Sequence, residues 1–300
     1  MWIVYSVLDG ALNAVTNIIE KFVVDKHVKD TNLLVVLGGG IVFVIGIIIF
    51  IISGFPLIPF ISVLPIILAG IFLALYLVPY LQALSLEDAS TVIPLFAFVP
   101  VMTLILSSLF LKEFLLPKQF VGFSIIFIGG LMLSVNGNEK GFAWLKPRKA
   151  FLLMMLSCLI FSFSSVLFKF VTLNIGYWTT LTYEYFGVGV GTSLFPGYLV
   201  ISNKLKWKPK ALTPTVSLIF ILDKLIEVAG QAFGAYATTL APVALVGIVS
   251  STQPFFVFLF AVILSIWFPQ IIKENLSRKV VLTKLICMVM MFVGIIILTF

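Results

Sequence analysis

The sequence predicts an all-α integral membrane protein, with about ten transmembrane helices shared between two related halves. Three observations predict it. Of 300 residues, 61% are hydrophobic and only 10% charged, at a mean hydropathy of +1.22. Soluble domains carry roughly 25% charged residues, and a single water-soluble core stops growing near ~250–300 residues. The apolar runs are of helix length, about 18–25 residues, and lack the ~10-residue alternation of an outer-membrane barrel. Lastly, the chain repeats itself. Ala14-Val15-Thr16-Asn17-Ile18-Ile19-Glu20-Lys21-Phe22-Val23 is echoed by Ser162-Phe163-Ser164-Ser165-Val166-Leu167-Phe168-Lys169-Phe170-Val171, and both end in Lys-Phe-Val.

The runs place helical spans at approximately 2–24, 33–53, 60–83, 89–111, 118–135, 150–173, 178–201, 213–239, 243–268 and 280–299. The first begins at Trp2 without a basic leader and is interrupted by Asp9, Asn13, Asn17, Glu20 and Lys21, so it reads as a span and not as a cleaved signal peptide. Ser53-Gly54-Phe55-Pro56 parts the second span from the third, Lys208-Pro209-Lys210 precedes the eighth, and Phe268-Pro269 ends the ninth. Asn136 to Lys149 is the longest polar stretch and the natural midpoint, giving units 1–140 and 141–300. Lipid offers no partner for a free amide or carbonyl, so each span must be helical. Pro79, Pro94, Pro100 and Pro254 inside the spans therefore predict local kinks.

The net charge of +7 and pI near 9.4 do not point to nucleic acid, because the basic residues sit in short loops between spans. Cys158 and Cys287 lie in apolar runs and His27 stands alone, so no metal site and no cofactor are expected. Loops after odd-numbered spans hold Lys26, Lys29, Lys140, Lys146, Arg148, Lys149, Lys204, Lys206, Lys208, Lys210, Lys273, Arg278 and Lys279; those after even-numbered spans hold only Lys112 and Lys118. By the positive-inside rule both termini would lie outside the cytoplasm.

A second pair of matched segments follows each copy of the first. Tyr80-Leu81-Gln82-Ala83-Leu84-Ser85-Leu86-Glu87-Asp88-Ala89 leads to Phe98-Val99-Pro100-Val101, and Gly234-Ala235-Tyr236-Ala237-Thr238-Thr239-Leu240-Ala241-Pro242-Val243 leads to Thr252-Gln253-Pro254-Phe255. The pairs Ala83/Ala237, Leu86/Leu240 and Pro100/Pro254 keep one register. Charged hinges follow at Leu111-Lys112-Glu113 and Ile272-Lys273-Glu274, then spans with Gly129-Gly130 or Gly294. This paired order, covering almost the whole chain, resembles the drug/metabolite transporter superfamily, in particular its EamA-type members. The resemblance implies ten helices as two five-helix inverted repeats, a multi-pass protein of a plasma or inner membrane, and transport without enzymatic activity. It also implies both termini in the cytoplasm, against the loop charges, so orientation stays open. Where members often carry an arginine in the second helix of a half, this chain has Glu184 in one half and Gly38-Gly39-Gly40 in the other.

Asp9, Glu20, Lys21, Lys169, Glu184, Asp223, Lys224 and Glu227 fall within or near the hydrocarbon layer. A charge at the centre of a span costs ~2.5–3.5 kcal/mol, so these must pair or line a wet cavity. Asp223, Lys224, Glu227 and Gln231 share an arc of about 100° on the eighth span. That face is either a structural Lys224–Glu227 pair or the polar wall of a solute path, with Glu227 the foremost candidate. Lys21 and Lys169 could snorkel to headgroups or lie on the repeat axis. Glu184 could compensate Lys169, meet a cationic solute or carry a coupling proton, since burial disfavours a charged carboxyl. Asp9 reads as interfacial. Asn13, Asn17, Ser162 and Ser165 could line the path or bond between helices. Tyr76, Tyr80 and Tyr236 precede the kinked fourth and ninth spans and are candidates for the cavity, whereas Gly187, Gly189 and Gly191 suit close helix approach.

The expected function is secondary transport of a small polar organic solute (a metabolite, amino acid or amine) by alternating access, with proton coupling open. The path would be lined by the first, third, fourth, sixth, eighth and ninth spans. The alternatives are a multidrug exporter or lipid flippase on the same fold and, less favoured for want of a nucleophile or base cluster, a membrane-embedded lipid-modifying enzyme. No G-x-x-x-x-G-K-[ST] motif is present, which excludes ATP-driven transport by this chain alone. The expected partners are the solute and the bilayer, with the chain a monomer or homodimer.

Overall fold

The computed structural model describes residues 1–27, 31–86, 92, 95–96, 98–134, 149–201, 213–267 and 278–299. Among them the elements are helical throughout: α1 (Trp2–Lys26), α2 (Thr31–Ile52), α3 (Phe60–Leu75), α4 (Leu77–Leu86), α5 (Phe98–Phe110), α6 (Pro117–Ser134), α7 (Lys149–Ile175), α8 (Tyr177–Ile201), α9 (Pro214–Leu240), α10 (Val243–Ser250), α11 (Gln253–Trp267) and α12 (Arg278–Thr299). Most of the orientation-bearing loop charges lie outside the described residues, as do Pro94, Glu274 and the Asn136 to Arg148 midpoint.

Local chemistry sets the boundaries. Pro79 has no N–H for the carbonyl four residues earlier, and the third expected span kinks there, at Tyr76, between α3 and α4. Within the fourth expected span the described helix α5 runs Phe98–Phe110, with Pro100 in its first turn. The ninth is broken at Ser251–Thr252, and Pro254 occupies the second position of α11, where its missing donor costs no helical hydrogen bond. Thr213 caps α9 by accepting from Val216 N at 3.3 Å, ahead of Pro214 at the first helical position. A single residue, Gly176, joins α7 to α8 at φ +92°, a backbone that a side chain would strain.

Packing is reciprocal between the two ends of the chain. α1 lies along α9, α7 lies along α3, α4 and α5, and α6 pairs with α12. α8 packs closely on α3 and α2. One apolar core joins α1, α2, α4, α7 and α9 through residues such as Leu33, Leu84 and Met154, and a second joins α3, α7 and α8 through Ile66, Leu181 and Tyr185. Large apolar side chains face outward, among them Ile51, Leu57, Phe60, Ile61 and Leu64 on one stretch, which suits a lipid solvent.

Among the described residues, five stretches are long and apolar enough to cross a membrane: Trp2–Val24, Leu33–Ile52, Phe60–Leu86, Lys149–Ile175 and Val243–Leu264. Phe98–Phe110 and Leu285–Leu298 are shorter apolar helices. Hydropathy alone passes over α9, which carries Asp223, Lys224 and Glu227 within its length.

Candidate functional site

The charged face of α9 meets α1. Lys224 Nζ donates to Glu20 Oε1 at 2.8 Å and to Glu227 Oε2, and lies 3.4 Å from Asp223 Oδ2. Its ammonium also stands 5.3 Å from the centre of the Phe220 ring. Gln231 Nε2 donates to the other Glu227 oxygen at 3.0 Å. The Tyr80 hydroxyl, from α4, lies 3.0 Å from Asn17 Oδ1 and 3.2 Å from Glu20 Oε2, and its single proton serves one of them at a time. Asp223, Lys224, Glu227 and Glu20 are all buried, with exposures of 0%, 4%, 6% and 6%. The i, i+3 pair expected on α9 is present, and it is part of a larger cluster that reaches α1.

Beside this cluster is a cavity of about 170 Å³. A water needs about 10–15 Å³ by the same measure, so the space suits a small molecule and not merely one solvent molecule. α1 contributes Asp9, Asn13, Asn17 and Glu20, which recur at helical spacing on one face, and α9 contributes Glu227 and Gln231. Leu73, Tyr76, Phe96, Phe161 and Phe168 supply apolar and aromatic lining. Glu184 projects from α8, where its Oε1 lies 3.4 Å from the Ser164 hydroxyl. The lining thus includes α8 as well as the six expected spans.

Of the expected site residues, Glu227, Gln231, Glu184, Asn17 and Tyr80 line this cavity together, while Asp223 and Lys224 stand behind Glu227. Lys21 is turned away, its Nζ 3.5 Å from the Leu84 carbonyl oxygen. Tyr236 lines nothing here. It is 37% exposed and packs edge-on against Tyr5 and Tyr177, at 5.0 and 5.2 Å between ring centres. Lys169 is compensated by Glu113 at 2.5 Å and by the Ala241 carbonyl at 2.7 Å, and not by Glu184. The other Glu113 oxygen accepts from Val243 N at 3.0 Å, at the start of α10.

Three residues play larger parts than the sequence suggested. Asp9, expected at an interface, lines the cavity and accepts from Asn13 Nδ2 at 2.6 Å; its i, i+4 spacing to Asn13 and Asn17 was the available signal. Glu20 is the counter-ion of Lys224, and Glu113 is a joint and not merely a hinge. Among the described residues, the carboxylates of Glu20, Asp223 and Glu227 come within 4.8 Å of one another, spacing that would suit a cation, and the Lys224 ammonium already lies among them.

Outward apolar helices around a charged internal cavity fit a multi-pass membrane protein. Residues 1–135 match the model of the EamA-like transporter family, so that stretch of the chain is similar to that family. No curated protein matches the sequence. A solved structure titled "Crystal structure of protein" aligns with a TM-score of 0.67 over 98% of each chain at 19% identity, a likeness of fold.

Proposed function

We propose that this protein is a secondary transporter that moves a small polar organic solute by alternating access. Two inverted five-helix units, 1–140 and 141–300, rock about the cavity and expose it to either side in turn. The reading is carried by one observation: Glu227 presents a carboxylate to a cavity built from both ends of the chain. The reciprocal packing of α1 on α9 and of α7 on α3 and α4 supports the two-unit division, as does the Glu113–Lys169 pair across the units. Catalysis has no part in this reading.

A thermal-shift screen of purified protein against amino acids, amines, sugars and nucleotides tests it, since a solute that binds the folded state alone raises apparent stability. A stabilising solute should then exchange across proteoliposomes containing the protein. Binding without any exchange would overturn the transport reading. Flux that responds to an imposed pH gradient would add proton coupling, and indifference to the gradient would exclude it. The aromatic lining favours a second reading, a multidrug exporter or lipid flippase. Stabilisation by apolar cations or lipids alone would select it.

A further inference from the structure

Lys224 is surrounded by more negative charge than one ammonium needs. Glu20 and Glu227 already hold it, yet Asp223 is buried beside it with neither carboxylate oxygen hydrogen-bonded within the protein. A fully buried carboxylate at 0% exposure is costly unless it is paired, and its nearest cation is Lys224 Nζ at 3.4 Å. A merely structural lysine would be satisfied by one such partner, as Lys169 is. Of the three acids, Glu227 and Glu20 line the cavity whereas Asp223 does not. Glu20 also takes the Tyr80 hydroxyl within reach, so it is the less available of the two. The arrangement therefore has one partner facing solute and one standing in reserve. A second buried group points the same way. Asn17 Nδ2, on the cavity wall, makes no hydrogen bond within the protein and offers a donor to a solute acceptor.

We propose that Lys224 is a tethered stand-in for the solute's own cation: a solute ammonium displaces it from Glu227, and Lys224 shifts onto Asp223 while keeping Glu20. The solute class is a small organic ammonium with an apolar body, seated against Tyr76, Phe96 and Phe161, with any hydroxyl or carbonyl directed to Asn17. No covalent step is involved. Charge selects the ligand, because Glu20 and Glu227 already hold the Lys224 ammonium between them and leave no free cation for a carboxylate solute, while a neutral solute has nothing to exchange. Lys224 and Asp223 act as specificity-determining residues behind the one that touches solute. The proposal rests on the transporter reading above and goes further by fixing the charge of the solute.

The test uses purified full-length protein in lipid nanodiscs and titrates phenethylammonium and its β-hydroxy relative against phenylethanol and phenylacetate. Wild type should bind the ammonium ions much more tightly than phenylethanol and should not bind phenylacetate. Asp223→Asn removes the reserve partner, so ammonium affinity should fall by about tenfold, as expected for one charge-assisted contact. In Lys224→Met nothing competes for Glu227, and ammonium binding should tighten. Adding Asp223→Asn to that variant should then have no further effect on ammonium affinity. The ratio of ammonium to alcohol affinity is the readout, since a merely structural Asp223 would lower both alike. If Lys224→Met fails to fold, the ratio in Asp223→Asn decides alone. An unchanged ratio in Asp223→Asn, or alcohol or carboxylate binding in place of ammonium, overturns the proposal while leaving the transporter reading intact. If ammonium binds as proposed but nothing crosses a proteoliposome membrane, the transporter reading falls and the charge exchange stands.

Discussion

Lys169 and Lys224 are both buried lysines, at 7% and 4% exposure, but their surroundings differ in kind. Lys169 meets one carboxylate and one carbonyl, and that carboxylate, Glu113, spends its second oxygen on the first amide of α10. Donors and acceptors there are matched, and a matched buried pair mainly holds elements together. Lys224 sits among three carboxylates, of which one is otherwise unbonded and two line a cavity. The lysines share a charge and a depth. The acceptors around them differ: one lysine is matched by its partners and the other is over-supplied with them.

The largest expected effect lies at the over-supplied site. Glu227→Gln keeps the shape and the Gln231 contact but removes the charge. A charge-assisted contact is worth about 1.5–3 kcal/mol, so flux in proteoliposomes should fall roughly ten- to hundredfold while the melting temperature stays near that of wild type. Normal flux by this variant would erase the distinction between the two lysines.

Lys169→Met should show the opposite pattern. It leaves Glu113 with half its partners, and breaking a buried pair costs about 3–5 kcal/mol. Glu113 is partly exposed and keeps Val243 N, so the loss should sit toward the low end. Thermal unfolding reads it directly. Lys169→Met combined with Glu113→Gln should cost less than the two single losses added together, because neither variant residue then leaves a buried charge behind. A stable Lys169→Met protein that no longer transports would mean that this lysine, too, belongs to the chemistry.

The sequence revealed α9 well and its partner poorly, for a physical reason. Helical periodicity put Asp223, Lys224, Glu227 and Gln231 on one face, because spacing alone fixes that. It carries no information about which helix the face meets, and Glu20 is 204 residues away in sequence. Glu113 looked like a loop residue because a carboxylate that caps a distant amide leaves no local pattern. The kinks were legible from Pro79 and Pro254, since a missing donor acts locally. Matched register in a repeat does not guarantee matched depth: Tyr80 turns inward to Asn17, whereas Tyr236 packs on Tyr5 and Tyr177 outside the cavity lining.

A smaller effect should come from the seam that carries Glu184. At Gly187 an added Cβ would sit 2.9 Å from Gly70 Cα, and at Gly70 it would sit 2.7 Å from Gly187 Cα and run into the Glu184 carbonyl oxygen. α3 and α8 thus touch backbone to backbone. Gly187→Ala should cost about 1–3 kcal/mol by overpacking, read as a lower melting temperature. Gly40→Ala is the control, for nothing lies within 4 Å of its Cβ. Equal stability of the two variants would mean that the seam can open freely and does not fix Glu184 in place.

The smallest effect tests whether buried polarity without charge matters on the same helix. Ser162 lies two turns before Lys169 on α7. It accepts from Thr103 Oγ1 at 3.0 Å, and its own hydroxyl lies 2.8 Å from Cys158 O and 3.2 Å from Val99 O. Bonds of this kind between helices in lipid are worth about 0.6 kcal/mol, because each hydroxyl can turn to a carbonyl of its own helix. Ser162→Ala should therefore lower stability by about that much and leave flux unchanged. A loss as large as that of Lys169→Met would show that α7 depends on its hydroxyl contact with α5 as much as on the Lys169–Glu113 pair, and that burial, more than charge, sets the cost in this part of the protein.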